Sequence, residues 1–306
     1  MKILLTGASG MLGSYLKVLL AGSHEVTTLQ RHGADVECDL AAETPRLGGG
    51  RYDLVIHAAG SNVESDAMKV NVDGTRRLLE ALGQNPPREL VFVSSWEVYS
   101  PDAGEGVGED HQTWALSKAG QSKALAEKEV TEWCAGHGVL PTIVRPARMF
   151  GKGIKGEMAA MYGDVAAGRY IHVRDNHARL SLVCASDVAE AIWQLHSTGG
   201  IYNVTDGYGA EWIELADAMS ANSGKEKRQT FLPARWAAAA WRLAPWLPAV
   251  RSSLAPEVLA RRSKTLTFSN EKIRAAAPGW RPYRTIDVIS RKDPDYPYAD
   301  NPYADN

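Results

Sequence analysis

Three glycines spaced three apart close the first apolar run of the chain: Gly7, Gly10 and Gly13, in Thr6-Gly7-Ala8-Ser9-Gly10-Met11-Leu12-Gly13. No other stretch restricts the fold so much. The run before it, Lys2-Ile3-Leu4-Leu5, reads as a buried strand, and Gly13 to Leu20 has the apolar spacing of a helix. A glycine-rich turn between strand and helix brings backbone N–H groups up to a pyrophosphate. The first glycine makes the tight turn, the second lets the phosphates approach, and the third lets the helix pack on the sheet. The helix N-terminus adds partial positive charge and free donors. A bare strand–turn–helix corner would use the same residues, but the elements downstream favour a dinucleotide cradle that includes Ser9, Met11 and Leu12.

Those elements alternate. Strand-like runs at His24–Leu29, Val36–Cys38, Asp53–Ala58, Leu90–Ser94 and Leu140–Arg145 are separated by helix-like stretches, including Val70–Leu82 and Trp114–Cys134. Alternating βα units with apolar strands predict an α/β fold, a doubly wound parallel sheet with its ligand crevice at the carboxyl ends of the strands. Residues 1–150 are expected to form the dinucleotide-binding domain, with about 180–205 returning to it. Residues 151–290 read mainly as a smaller α/β substrate-binding region and lid, and 291–306 as a disordered tail built on a repeated Pro-Tyr-Ala-Asp-Asn. The Ala-, Trp- and Leu-rich stretch Trp236–Val250, broken by Pro245 and Pro248, reads as an amphipathic lid; an apolar substrate wall or a weak membrane contact is the alternative.

A chain of 306 residues can bury a full core. Its net charge of −2 argues against nucleic acid or an anionic membrane as partner. There is no long apolar span and no basic-then-apolar leader, so a cytoplasmic protein with no membrane span is expected. Cys38, Cys134 and Cys184 are scattered, which suits buried reduced thiols and no metal site.

With the elements in this order, the chain resembles the extended short-chain dehydrogenase/reductase family, especially its nucleotide-sugar epimerase/dehydratase branch. The signposts are the glycine triplet, Asp39-Leu40, His57-Ala58-Ala59-Gly60, Asn71-Val72-Asp73-Gly74-Thr75, Ser94-Ser95-Trp96-Glu97-Val98-Tyr99, Ser117-Lys118, and Arg145-Pro146 followed by Phe150-Gly151. Arg179–Val188 looks like the family's substrate-lining segment, and Gly279-Trp280-Arg281-Pro282 like its C-terminal end. The resemblance implies a small-molecule substrate, a homodimer, and cofactor contacts from Asp39, Leu40, Ala58, Ala59, Asn71, Ser94, Lys118 and Pro146. It places Ser95, Arg148 and Arg179 against the substrate. Arg148 stands where many relatives carry an asparagine, and reads equally as an anion holder or as half of a surface salt bridge.

The end of the second strand, Leu29-Gln30-Arg31-His32, carries no acid to take a ribose 2′-hydroxyl. An arginine there suits a 2′-phosphate, which favours NADP, with NAD second.

In the family, a tyrosine four residues before a lysine forms the proton-transfer centre, and a serine orients the carbonyl. Taking Lys118 as the lysine and Ser95 as the serine, the tyrosine position holds Trp114. An indole N–H donates but does not serve as acid–base near neutrality. Glu97 matches the glutamate of the sugar dehydratases, while Trp96 stands in place of their aspartate, so Glu97 is the candidate substitute acid–base. Two functions follow from these residues. One is an NAD(P)-dependent oxidoreductase or epimerase acting on a nucleotide sugar or a related carbonyl or alcohol, with altered acid–base chemistry. The other is a catalytically impaired NADP-binding module acting as a binding or scaffold protein.

Overall fold

The computed structural model describes residues 1–48, 50–223, 230–244 and 246–291; the 292–306 stretch of the expected tail and Pro245 of the expected lid lie outside them. The first half follows the alternating pattern: β1 (Lys2–Thr6), α1 (Met11–Leu20), β2 (Glu25–Gln30), β3 (Val36–Glu37), β4 (Leu54–His57), α2 (Gly74–Leu82), β5 (Glu89–Val93), α3 (Lys118–His137) and β6 (Leu140–Pro146). The second half comprises β7 (Arg148–Phe150), α4 (Gly156–Ala166), β8 (Ile171–Val173), β9 (Arg179–Cys184), α5 (Ala185–Leu195), β10 (Gly200–Val204), β11 (Gly209–Glu211) and α6 (Trp212–Asn222). It ends with β12 (Thr230–Leu232), α7 (Ala234–Leu243), α8 (Pro248–Leu254), α9 (Pro256–Arg262), α10 (Glu271–Ala276) and α11 (Thr285–Ile289).

The main sheet is seven-stranded, in the order β10-β6-β5-β4-β1-β2-β3, and parallel throughout. The order reverses at β1, which puts the switch point of a doubly wound sheet directly above the glycine loop. Strand alternation divides the core into two layers. Ile3, Leu5, Val91 and Val144 face α1 and α5, where Leu16, Leu20, Val188 and Ile192 meet them. Leu4, Val55, Leu90, Phe92 and Ile143 face α2 and α3, against Leu78, Leu82, Ala126 and Val130. Both layers are fully buried, which is why these strands read as continuous apolar runs.

Between β6 and β10 the chain leaves the main sheet. Segments on both sides of β10 build a second sheet in the order β11-β9-β7, which the sequence did not announce, and a small parallel pair, β12-β8. A separate cluster around Met158, Met161, Trp212, Leu215 and Met219 fills the space between α4, α6 and β9. The lid stretch becomes α7 and α8, seated through Ala237, Val250 and Leu254 while Trp236, Leu243 and Trp246 stay exposed. All three cysteines are buried and none is in a disulfide. No described helix is long and apolar enough to cross a membrane.

One boundary differs from expectation in a way that matters for the site. The helix predicted from Trp114 begins at Lys118, because Ser117 caps it, its Oγ accepting the Gly120 N–H at 2.9 Å. Trp114 lies ahead of that cap, 64% exposed.

Candidate functional site

The loop after β1 is built to bring its backbone close to a ligand. Gly7 has φ +72°, and a Cβ there would lie 2.6 Å from the Ala59 nitrogen and 2.8 Å from the Ala58 carbonyl carbon. A Cβ on Gly13 would strike the Gly7 carbonyl oxygen, so the helix packs this closely only on glycine. The Gly10 N–H donates to the Gly7 carbonyl at 3.0 Å, and the first helical bond runs from Ser14 N–H to Gly10 C=O at 3.0 Å, which leaves the N–H groups of Met11, Leu12 and Gly13 without an intrahelical partner. Ser9 and Gly10 are exposed at the turn, and Met11 and Leu12 begin the helix. This cradle fits a dinucleotide pyrophosphate.

At the far end, Arg31 is exposed just past β2. The two acids near it are engaged elsewhere. Asp35 accepts from the Thr28 N–H and hydroxyl, each at 2.8 Å, which holds its pKa below the usual carboxylate value. Glu37 accepts from the Gly33 N–H at 2.7 Å. Asp39 is exposed and closes a turn with the Ala41 N–H, while Leu40 is buried against Gly74.

A polar relay runs under the cradle. The Ala59 N–H donates to Thr6 Oγ1 at 3.1 Å, and Thr6 Oγ1 meets His57 Nδ1 at 2.7 Å. His57 Nε2 meets Thr75 Oγ1 at 2.9 Å, and the Thr75 hydroxyl donates to the Asn71 carbonyl at 2.6 Å. That last bond assigns the imidazole proton to Nε2. Burial, with Lys123 nearby, pushes the His57 pKa down to about 3, so the ring is a neutral spacer. Asn71 sits in a π-helical turn, Met68–Asp73, that swings its amide inward. Its Oδ1 accepts from the Ser61 N–H at 2.8 Å and its Nδ2 donates to Ser122 Oγ at 2.8 Å.

The lysine in this relay is Lys123, not Lys118. Lys123 is 6% exposed, and its Nζ donates to the Val93 carbonyl at 2.7 Å. A Cβ on Gly60 would lie 2.8 Å from that Nζ and 3.1 Å from Asn71 Oδ1. Desolvation pulls its pKa down to about 8, against the pull of Glu127. Lys118, by contrast, is exposed at the first position of α3, its N–H bonded to Glu64. The residue four before Lys123 is Ala119, buried on the same helix face. Counting from Lys118 gave Trp114, counting from Lys123 gives Ala119, and neither is a phenol. The phase of α3 shows the difference: Ala119, Lys123, Ala126, Val130 and Cys134 follow its buried stripe, and Lys118 does not.

Ser94 also departs from expectation. It is buried, and its hydroxyl donates inward to Glu127. Glu127 also receives Arg145, whose Nε and Nη2 donate to its two oxygens at 2.9 and 2.6 Å, while Arg145 Nη1 donates to the Tyr99 hydroxyl at 2.8 Å. This buried ion pair anchors the loop after β5, which carries Ser95 and Glu97. Ser95 Oγ accepts the Glu97 N–H at 3.1 Å, and Glu97 Oε2 accepts the Ser117 hydroxyl at 2.8 Å.

Beyond that loop opens a pocket of about 230 Å³. Trp96, Glu97, Ser117, Arg148, Arg179 and Trp212 are among its walls. Glu97, Arg148 and Arg179 therefore meet in one cavity, and Pro146 lies buried just before it. A contact path links cradle and pocket: Gly7 to Ala59, Gly60 to Lys123, Lys123 to Val93, then Ser95 and Glu97 along the chain. A second cavity of about 400 Å³ lies between β8 and α7–α9, with Tyr170, His172 and Arg262 on its walls.

Residues 3–205 match the NAD dependent epimerase/dehydratase family. A dTDP-4-dehydrorhamnose reductase of Streptomyces griseus is 30% identical over 229 residues, 70% of this chain and 73% of that protein. The N-acetyl-alpha-D-glucosaminyl-diphospho-ditrans,octacis-undecaprenol 4-epimerase of Escherichia coli O157:H7 is 24% identical over 255 residues, 76% of this chain and 75% of that one. Among solved structures, RMD from Pseudomonas aeruginosa complexed with NADPH superposes with a TM-score of 0.74 at 21% identity, over 99% of both chains, and shares the fold. Fold, glycine cradle and matched segment agree: this chain belongs to the NAD dependent epimerase/dehydratase family, a family of nicotinamide-dependent enzymes of the epimerase, dehydratase and reductase type.

Proposed function

We propose that the protein is an NADP-dependent oxidoreductase or epimerase that acts on a nucleotide sugar, with Glu97 as its acid–base group. The observation that carries this reading is the contact path from the glycine cradle through Lys123 to the pocket bearing Glu97. A bound nicotinamide dinucleotide supplies the hydride acceptor or donor. The chain supplies the rest. Gly7 and Gly13 bring the backbone close, and the N–H groups in the first turn of α1, from Met11 and Leu12, hold the pyrophosphate. Lys123 offers ammonium donors to the nicotinamide ribose, with Asn71 and Val93 fixing its direction. Ser95, whose Oγ accepts the Glu97 N–H and keeps its own proton, offers that hydroxyl to the substrate oxygen, and Glu97, on the pocket wall, takes the proton of the substrate hydroxyl as the hydride leaves, or returns it in the reverse direction. Arg31, with no free acid beside it, takes the 2′-phosphate. Ligand binding by calorimetry, with NADP(H), NAD(H) and UDP-, GDP- and dTDP-sugars, tests cofactor and substrate class together. Glu97→Gln is expected to lower kcat by about a hundredfold or more; unchanged turnover removes Glu97 from the role.

Ala119 favours a second reading, since the position of the family's phenol offers no proton at all. On that reading the protein holds the dinucleotide and turns over little, as a binding or scaffold module. Ala119→Tyr separates the two: activity gained by an inert wild type supports the module, and turnover in the wild type excludes it. We also infer a cytoplasmic homodimer, with the exposed Leu125 of α3 as one apolar contact; light scattering on the purified chain reads the assembly.

A further inference from the structure

Arg148 is 7% exposed, and its guanidinium makes no hydrogen bond among the described residues; Nε and Nη1 are both shut from solvent without a partner. The group lies against two indoles, its carbon 3.9 Å from the Trp96 ring centroid and 5.7 Å from that of Trp212. Desolvation pulls its pKa down to about 10, which leaves it charged at neutral pH. A buried charge without a partner costs several kcal/mol.

The remaining cations on the pocket walls are already matched. Arg179 pairs with Glu105, Lys264 with Asp102, and Arg261 with Glu157. The carboxylates whose fields reach Arg148 are engaged as well: Glu97 accepts from Ser117, and Glu157 is shared by Arg261 and Arg262. Around this pocket, among the described residues, the five cations Arg148, Arg179, Arg261, Arg262 and Lys264 stand against the four carboxylates Asp102, Glu97, Glu105 and Glu157, and only Arg148 among the five has no ion pair, so one positive charge is left over there. It lies on the pocket wall beside Trp96 and Glu97, on the loop that the acid–base reading places at the reacting end of the sugar. On that reading the group beside Arg148 is the sugar ring, because the diphosphate joins the sugar at its anomeric carbon, away from the reacting end. One surplus charge calls for one negative charge. A carboxylate carries one, whereas a phosphate monoester carries nearly two.

We propose that Arg148, clamped between Trp96 and Trp212, binds a carboxylate on the sugar ring, so that the substrate is a nucleotide-linked uronic acid. This rests on the nucleotide-sugar reading of the pocket.

The test compares UDP-glucuronate with UDP-glucose, and GDP-mannuronate with GDP-mannose, by calorimetry on wild type, Arg148→Met and Arg148→Lys. All three proteins are loaded with NADP⁺. A charge-assisted hydrogen bond corresponds to roughly ten- to hundredfold in affinity. The uronate of at least one pair is expected to bind wild type at least about tenfold tighter than its neutral partner. That gap is expected to close in Arg148→Met and to return in part in Arg148→Lys, with NADP⁺ affinity the same in all three. Neutral and acidic sugars binding wild type equally would overturn the carboxylate and leave the nucleotide-sugar reading standing. A uronate preference that survives Arg148→Met would overturn the role of Arg148. Failure of every sugar nucleotide on protein that still binds NADP⁺ would overturn both readings of the pocket.

Discussion

Arg145 and Arg148 stand three residues apart, on β6 and β7, and both are buried. Arg145 has everything a buried guanidinium needs: two oxygens of Glu127 and the Tyr99 hydroxyl, which hold its pKa above the usual value against desolvation. Arg148 has two indole faces and no acceptor. The same side chain, at nearly the same depth, serves structure where the chain supplies the anion and recognition where it does not. The contrast extends to the whole molecule. Groups saturated inside the chain, such as Asn71 and Ser94, hold the loops; groups such as Arg31 and the first turn of α1 are left open, where the proposed function puts the ligand.

Breaking the saturated side has the largest effect. Glu127→Ala leaves Arg145 buried and unpaired, and urea denaturation is expected to show a loss of about 3–5 kcal/mol. Asp187 is an intermediate case. It accepts the Tyr283 N–H at 2.9 Å, yet burial raises its pKa to about 8. A carboxyl raised above its unfolded value of 3.8 is held neutral in the fold and ionised in the unfolded chain between those limits. Stability from this group therefore falls as pH rises from about 4 to about 8. Relative to Asp187→Asn, wild type is expected to lose about 1.4 kcal/mol per pH unit in that window; parallel pH curves for the two proteins would refute it.

The open side responds differently. Gly7→Ala, at φ +72° and against the Ala58–Ala59 backbone, is expected to cost the dinucleotide about a hundredfold in affinity, or roughly 2.7 kcal/mol; unimpaired binding would place the ligand elsewhere. Arg148→Met removes a lone buried charge and is expected to stabilise the free protein by about 1–3 kcal/mol, read as a raised Tm. A lowered Tm would mean that Arg148 is satisfied like Arg145, and the comparison would fail. Arg31→Ala is the smallest change, shifting the NADP-to-NAD affinity ratio by about tenfold, since an exposed arginine on a phosphate is well solvated.

The sheet and the cradle were legible because their physics is local. Apolar runs bounded by turns give buried parallel strands, and three glycines at a strand–helix corner give a close backbone. The catalytic frame was not legible in the same way. Ser117-Lys118 and Ser122-Lys123 are two Ser-Lys pairs five residues apart, and either satisfies the pattern. Only the position of the Ser117 cap and the helical phase that follows from it select Lys123, a choice that rests on burial against Gly60 and Asn71. Ser94 and Ser95 show the same limit: adjacent hydroxyls, one committed to Glu127 and one capping the turn of Glu97. The sheet of β7, β9 and β11 escaped notice because its outer strands are three residues long, too short for a period-two pattern to register.

The late arrival of β10 has a consequence for biosynthesis. Strand β6 pairs with β5 on one side and β10 on the other, in register from Thr142 with Gly200 to Pro146 with Val204. Until residue 204 has been made, β6 presents an apolar row of unpaired backbone groups, an open template for another nascent chain. At about 5–20 residues per second, translating residues 147–199 takes roughly three to ten seconds. Through that interval β6 is an open edge for strand pairing, and a fragment ending before β10 would carry the same exposed edge permanently.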